Sequence, residues 1–225
     1  MEKQKYIKPR GVIFDFDETL FFLAVDWDEL KRSLSKKFAA LGYFSTFTPL
    51  FMEIESVLGQ ISRDMGISYS KKLRQEINEI ILKVELEGAD KGNSALCSKE
   101  ILEHLELSKV PVGIVSSNSE EVIRRVIKKY KWPSRVTIIG RESVARLKPN
   151  IEGVKIFLKK NHLESREVWG VGNSKNDYYT YQKASLSKIF IISKSNIHFR
   201  EQKIKLYKYK TLEGFYRKFQ ENHGL

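Results

Sequence analysis

From residue 98 onward the chain repeats one pattern, a stretch of helical spacing followed by a short apolar run. The spacing predicts helices over 98–108, 119–130, 151–161, 175–184 and 211–221. Between them, strands are predicted at Val110–Val115, Val136–Ile139, Val168–Val171 and Lys188–Ile192. The final helix carries Leu212, Phe215, Tyr216 and Phe219 on its apolar side. Strands that are apolar throughout, without alternation, have both faces buried. Strands separated by helical crossovers pair in parallel. The fold class that follows is α/β: a Rossmann-like parallel sheet with helices on both faces.

One further apolar run stands near the start. Val12-Ile13-Phe14 leads directly into Asp15 and Asp17. Side chains two residues apart on a strand point the same way, so both carboxylates can converge just past the strand end. Two like charges held that close are unfavourable unless a cation or a shared proton holds them. Packing alone seldom calls for such a pair. Nucleophilic catalysis with an acid/base partner, or divalent-metal binding, often does.

The region between these two parts reads differently. Asp26-Trp27-Asp28-Glu29 resembles a capping box and opens a helix to about Ala40, with Gly42 to stop it. Thr48-Pro49 opens a second, with Leu50, Phe51, Ile54, Val57, Leu58 and Ile61 at helical spacing and Gly66 at its end. A third starts near Ser70, carries Leu73, Ile77, Ile80, Ile81 and Val84, and is closed by Gly88. No segment here alternates as a strand does. The expected organisation is therefore a core of residues 1–20 and 89–225, interrupted by an all-helical cap of residues 21–88. Hinges are expected near 21–24 and 88–95, where Gly88, Gly92, Asn93 and Ser94 suit the second crossing.

Composition bounds the partners. A chain of 225 residues with net charge +12 favours anionic ligands. The basic residues are dispersed, and charge alone is a weak argument for nucleic acid. Lys203, Lys205, Lys208 and Lys210 alternate with Leu206, Tyr207 and Tyr209, the pattern of a lysine-guarded edge strand. No apolar run approaches the roughly 20 residues needed to span a bilayer. Met1–Tyr6 has charge but no apolar segment behind it, so no signal peptide is read and a cytoplasmic protein is expected. The single Cys97 excludes an internal disulfide framework and is expected to be a small, half-buried residue.

In an open parallel sheet, ligands bind beyond the carboxyl ends of the strands. Four segments place polar residues there. The first supplies Asp15, Asp17 and Thr19. The second is Ser116-Ser117-Asn118, where hydroxyls and the amides of the next helix suit an anion such as phosphate. The third is Leu147-Lys148-Pro149-Asn150. The fourth is Gly172-Asn173-Ser174-Lys175-Asn176-Asp177. Each alone has an ordinary structural explanation, as an N-cap, a solvated lysine or a first-turn acid. Together, in this order and each at a strand end, they point to one site.

This ordered set resembles the four motifs of the haloacid dehalogenase superfamily, and specifically its phosphatase branch. The motifs look like Asp15-Phe16-Asp17-Glu18-Thr19, Ser116, Lys148 and Gly172-Asn173-x-x-x-Asp177. The helical insert falls where many members carry a cap that acts as a lid. The resemblance implies Asp15 as the nucleophile that forms an aspartyl-phosphate. It implies Asp17 as the acid that protonates the leaving oxygen and then the base that activates water. Ser116 and the Ser117 amide, with Asn118 beside them, would bind the phosphoryl oxygens, and Lys148 would neutralise charge on the nucleophile and the transferring group. Mg²⁺ would be held by Asp15, the carbonyl of Asp17 and Asp177, with Asn173 as a further candidate ligand.

Asp17 discriminates within the family. Dehalogenating and phosphonate-cleaving members lack an acid at this position, so the expected activity is Mg²⁺-dependent hydrolysis of a small phosphorylated metabolite, phosphoglycolate-like or a sugar phosphate. A phosphomutase, a phosphatase of nucleic-acid ends and a catalytically silent phospho-ligand-binding protein are the alternatives. Two residues depart from the pattern. Glu18 stands where small-molecule phosphatases often have glycine. Asn173 stands where aspartate is common and brings no charge, so weaker metal binding is expected.

Overall fold

A computed structural model describes residues 8–195, 197–199 and 205–223. Lys203 and the N-terminal Met1–Tyr6 segment lie outside the described residues. The described chain falls into two compact units. One holds the residues through Leu23 and from Gly92 onward, the other Ala24–Lys91.

The larger unit is built on six strands: β1 (Gly11–Phe14), β4 (Val112–Val115), β5 (Val136–Ile139), β6 (Val168–Gly172), β7 (Lys188–Ile192) and β8 (Lys205–Tyr209). A separate ribbon pairs β2 (Phe21–Phe22) with β3 (Asn93–Ser94). The helices of this unit are α4 (Ser98–Leu107), α5 (Glu120–Tyr130), α6 (Glu152–Lys160), α7 (Lys175–Lys183) and α8 (Leu212–His223). The sheet order is β5-β4-β1-β6-β7-β8 and every pairing in it is parallel. Chain order reverses between β1 and β6, which makes that boundary the switch point where doubly wound sheets bind ligands.

Both faces of the sheet are covered, as the uninterrupted apolar strands require. On one face Ile13, Val168, Ile189 and Ile191 pack with Val154 and Phe157 of α6 and Tyr178 and Tyr181 of α7. The intervening residues Trp169 and Phe190 turn to the other face, where their rings meet Phe219 and Phe215 of α8. Each large side chain so buried contributes about 1.5–3 kcal/mol by removal from water. The lysine-flanked segment forms the edge strand β8, where Lys205 and Lys208 are exposed.

The smaller unit contains α1 (Trp27–Ala39), α2 (Leu50–Asp64) and α3 (Ile67–Lys91). Its core includes Leu34, Phe38, Phe47, Leu58, Ile61, Ile77 and Ile81, with the Phe38 and Phe47 rings stacked 5.0 Å apart. The side chain of Asp26 caps α1 by accepting the Glu29 amide at 2.8 Å. Gly42 and Gly66 take positive φ after α1 and α2, as the stop signals predict. Among the described residues, no helix is long and apolar enough to cross a membrane.

Two local expectations are corrected. Phe21–Phe22 is a strand, not the start of the helical insert, because it pairs with Asn93–Ser94. Gly88 does not end α3, which runs on to Lys91. A Cβ at Gly88 would lie 2.4 Å from Cγ2 of Val25, and the Gly88 carbonyl accepts the Ala24 amide at 3.1 Å. The glycine is there for close approach of the neighbouring segment, which helical periodicity does not register. Cys97 is half-buried, and burial pushes its thiol pKa up, away from a reactive thiolate.

Candidate active site

Strand register aligns three of the four polar segments. Phe14 is paired with Ile114 on one side and Val171 on the other. Asp15, Ser116 and Gly172 therefore all lie at the same end of the sheet. Lys148 reaches this end from the loop between β5 and α6.

Asp15 follows β1 directly and its amide bonds to the Val171 carbonyl at 2.8 Å. Its carboxylate is buried and shares a cation with Asp177: Lys148 Nζ donates to Oδ1 of both, at 2.5 Å each. The Thr19 hydroxyl lies 3.4 Å from the other Asp15 oxygen. Burial, then the charge of Asp177, raises Asp15 to about 6, against the opposing pull of Lys148. Burial would pull Lys148 down, but the two carboxylates hold its pKa above the ordinary lysine value. The lysine therefore stays charged, and it keeps Asp15 lower than burial alone would.

Asp17 has a different environment. Its Oδ1 accepts the amides of Glu18, at 3.1 Å, and Leu23, at 3.0 Å. Burial raises its pKa to about 7, partly offset by the Leu23 amide and reinforced by the charge of Asp15. The loop between the two aspartates and β2 is anchored by Phe16 and Phe21. Both are buried, with rings stacked 5.6 Å apart, and the Phe16 carbonyl accepts the Leu20 and Phe21 amides. Glu18 sits at φ +58°, the left-handed region where glycine alone is free of cost. This explains physically why glycine suits the position.

Asp177 lies in the first turn of α7 and is fully buried. Its second oxygen accepts the Asn173 and Ser174 amides at 3.2 and 3.0 Å and the Ser174 hydroxyl at 2.5 Å. The Asp177 amide in turn donates to the Ser174 hydroxyl at 3.2 Å, completing a capping box. Gly172 lets α7 come this close: a Cβ there would lie 2.5 Å from the Asp177 Cβ. Asn173 donates its side-chain amide to the Glu18 carboxylate at 2.7 Å.

Ser116 follows β4 directly, with its amide on the Ile139 carbonyl. Its hydroxyl donates to Asn118 Oδ1 at 2.8 Å, and the Asn118 amide donates back to the hydroxyl at 3.2 Å. Arg141 holds this loop from the next strand end, through its amide on the Asn118 carbonyl and its guanidinium on the Ser117 carbonyl. Sequence reasoning overlooked Arg141, the Leu23 amide, and the Ser174 and Glu18 contacts. Only Ser174 left a signal, the Ser-x-x-Asp spacing of a capping box. In the helical unit, Arg32 pairs with Glu29 three residues earlier, and the Tyr43 hydroxyl donates to Asp64 at the end of α2.

Comparison with known proteins identifies the family and the fold. Residues 12–191 match the family model described as haloacid dehalogenase-like hydrolase. No curated protein matches the sequence. Among solved structures, a hydrolase from Pseudomonas syringae is 16% identical with a TM-score of 0.68, over 94% of this chain and 98% of its own. A putative phosphoglycolate phosphatase from Lactobacillus plantarum is 17% identical with a TM-score of 0.64, covering 94% and 99%. CbbY from Rhodobacter sphaeroides, solved in complex with phosphate, is 14% identical with a TM-score of 0.58, covering 91% and 95%. At these identities the solved structures establish the fold alone, while the family model spans both aspartates, Ser116, Lys148 and Asp177 in their order. The chain belongs to the haloacid dehalogenase-like hydrolases.

Proposed function

We propose that this protein is a Mg²⁺-dependent phosphatase that hydrolyses a small phosphorylated metabolite through a phosphoaspartate at Asp15. The observation that carries this reading is the unequal treatment of the two aspartates. Asp15 is held by the Lys148 ammonium, whereas Asp17 is set among main-chain amides with its pKa near 7. A carboxylate kept next to a cation is suited to be a nucleophile. A carboxyl poised near neutrality is suited to give and take a proton.

In the first step an Asp15 oxygen attacks phosphorus, and the bond from phosphorus to the ester oxygen breaks. Asp17 gives its proton to that leaving oxygen. In the second step Asp17, now a carboxylate, takes a proton from water as the water oxygen attacks phosphorus. The bond from phosphorus to Asp15 breaks, releasing inorganic phosphate and restoring both carboxyl groups. Lys148 stays protonated throughout and stabilises charge on the transferring group. The Ser116 hydroxyl and the Ser117 amide bind the equatorial oxygens. Asn118 and Arg141 position that loop.

The donor set fits Mg²⁺. Among the described residues no group of three or more His, Cys, Asp or Glu side chains forms a metal cluster. The Asp15 and Asp177 carboxylates nevertheless come together around the Lys148 ammonium, and hard oxygen donors with open positions for water are what Mg²⁺ takes. Asp15, Asp177 and the Asp17 carbonyl would hold the ion, which supplies charge neutralisation to the phosphoryl oxygens. The helical unit Ala24–Lys91 is read as the cap that selects the substrate. The phosphoglycolate phosphatase and CbbY neighbours support a phosphorylated small molecule as substrate.

The test is phosphate release from a panel of phosphorylated metabolites with Mg²⁺, comparing wild type and Asp15→Asn. Turnover that disappears in the variant supports the reading; turnover that survives contradicts it.

A further inference from the structure

The larger unit contains a cavity of about 760 Å³ at the carboxyl end of the sheet, on the β7–β8 side of the carboxylate site. Its size is within the range of small-ligand sites, roughly 300–1,000 Å³. That is far more room than a phosphoryl group needs. Two of its lining residues touch the site carboxylates directly. The Thr19 hydroxyl is 3.4 Å from Asp15 and the Ser174 hydroxyl is 2.5 Å from Asp177. The bonded pair Glu18 and Asn173 lines the same wall. The side chains of Thr19 and Ser174 therefore stand between the cavity and the carboxylates of Asp15 and Asp177.

Its lining has two characters. Phe22 and Leu96 are 50% and 67% exposed, and both face the cavity, backed by the buried Ile192 and Leu212. Scattered exposed apolar residues need no explanation, but two of them lining one cavity beside buried apolar side chains form an apolar wall. At the rim, Lys175, Lys194 and Lys210 come from three separate segments. None of the three forms an ion pair among the described residues. They face two carboxylates, Glu18 and Glu213, of which Glu18 already accepts from Asn173. The balance favours an anion.

We propose that this cavity receives the non-reacting half of the substrate, and that this half is an aromatic ring bearing a second negative charge. The ring lies against Phe22 and Leu96, and the charge lies among the three lysines. The assignment of this ligand as substrate rests on the phosphatase reading; the cavity's preference for an aromatic anion does not.

The experiment measures kcat/KM for carboxyphenyl phosphate, phenyl phosphate and glycerol phosphate, in wild type, Leu96→Asp and the double variant Lys194→Glu/Lys210→Glu. All three substituted residues are exposed, and an unchanged thermal midpoint verifies folding. The expected result is that carboxyphenyl phosphate is the best substrate in wild type. Its preference over phenyl phosphate falls about tenfold in the lysine variant, and the preference for both aryl esters over glycerol phosphate falls about as much in Leu96→Asp. Equal ratios in all three proteins overturn the proposal. Anilinonaphthalene sulfonate, an aromatic anion, separates the two readings by equilibrium fluorescence titration. Saturable binding that both variants weaken supports the cavity assignment even if no ester is hydrolysed. Binding that neither variant alters, or no saturable binding, overturns it whatever the activity.

Discussion

Asn173 and Glu18, the two positions that depart from the family pattern, are bonded to each other at 2.7 Å. The amide of one donates to the carboxylate of the other, so the departures form a matched pair. Aspartate at 173 would set a second carboxylate against Glu18. Asn173→Asp alone is therefore expected to gain little Mg²⁺ affinity and to lower stability, whereas Glu18→Gly/Asn173→Asp recovers both. The coupling should be about 1 kcal/mol in a double-mutant cycle read by thermal unfolding and by Mg²⁺ titration. Additive single effects would show that the pair is incidental.

Glu18 also carries a backbone cost, since φ +58° is strained for any residue with a side chain. Glycine relieves about 1 kcal/mol there but loses the bond to Asn173. Glu18→Gly should thus be nearly neutral in stability, while Glu18→Ala, which loses the bond and keeps the strain, should be destabilising. Equal midpoints for these two variants would contradict the account of this turn.

The pKa of Asp17 predicts a pH dependence with a definite sign. Its folded value, about 7, lies above the ordinary 3.8, so between these values the folded state binds more protons than the unfolded. Stability from this group is complete below about pH 4 and is lost as pH rises through about 7. Asp15, raised to about 6, acts in the same direction. Metal-free protein should lose thermal stability between about pH 4 and 7 through these two groups, and Asp17→Asn should flatten that slope. The step that needs protonated Asp17 should weaken over the same rise. An unchanged slope in Asp17→Asn would assign the titration elsewhere.

Lys148 separates two buried carboxylates, and its side chain is only 8% exposed. Lys148→Met leaves them facing one another without compensation, at a cost of about 3–5 kcal/mol. Without the lysine the pKa of Asp15 rises further, so the variant should be closest to wild type at low pH, where Asp15 is protonated. Its deficit should grow toward pH 8, with activity lost throughout. A deficit that does not vary with pH would mean that packing, rather than charge, is what the lysine supplies.

Gly172→Ala tests how Asp177 is delivered. The added Cβ would lie 2.5 Å from that of Asp177, so the first turn of α7 must move. Loss of most Mg²⁺ affinity is expected, with a well-folded protein by circular dichroism. Retained affinity would show that Asp177 is not held where Mg²⁺ binds.

The parallel sheet was legible because buried strands leave uninterrupted apolar runs at Val112–Val115, Val168–Gly172 and Lys188–Ile192. The convergence of Asp15, Lys148 and Asp177 was legible because each follows a strand in the order of known motifs. What escaped was set by tertiary contact. Phe21–Phe22 is too short to show a period of two, and Gly88 has the composition of a helix stop but serves a close approach to Val25. The Leu23 amide on Asp17 and the Arg141 guanidinium on Ser117 depend on how loops fold back, which spacing does not encode.

The central claim is that Asp15 carries the phosphoryl group. Enzyme quenched in acid during turnover of phenyl phosphate, then reduced with borohydride and mapped by mass spectrometry, should contain homoserine at position 15, where the acyl phosphate has been reduced. Asp15→Asn should give neither the product nor turnover. Homoserine at another aspartate, or steady hydrolysis by Asp15→Asn, would contradict the mechanism.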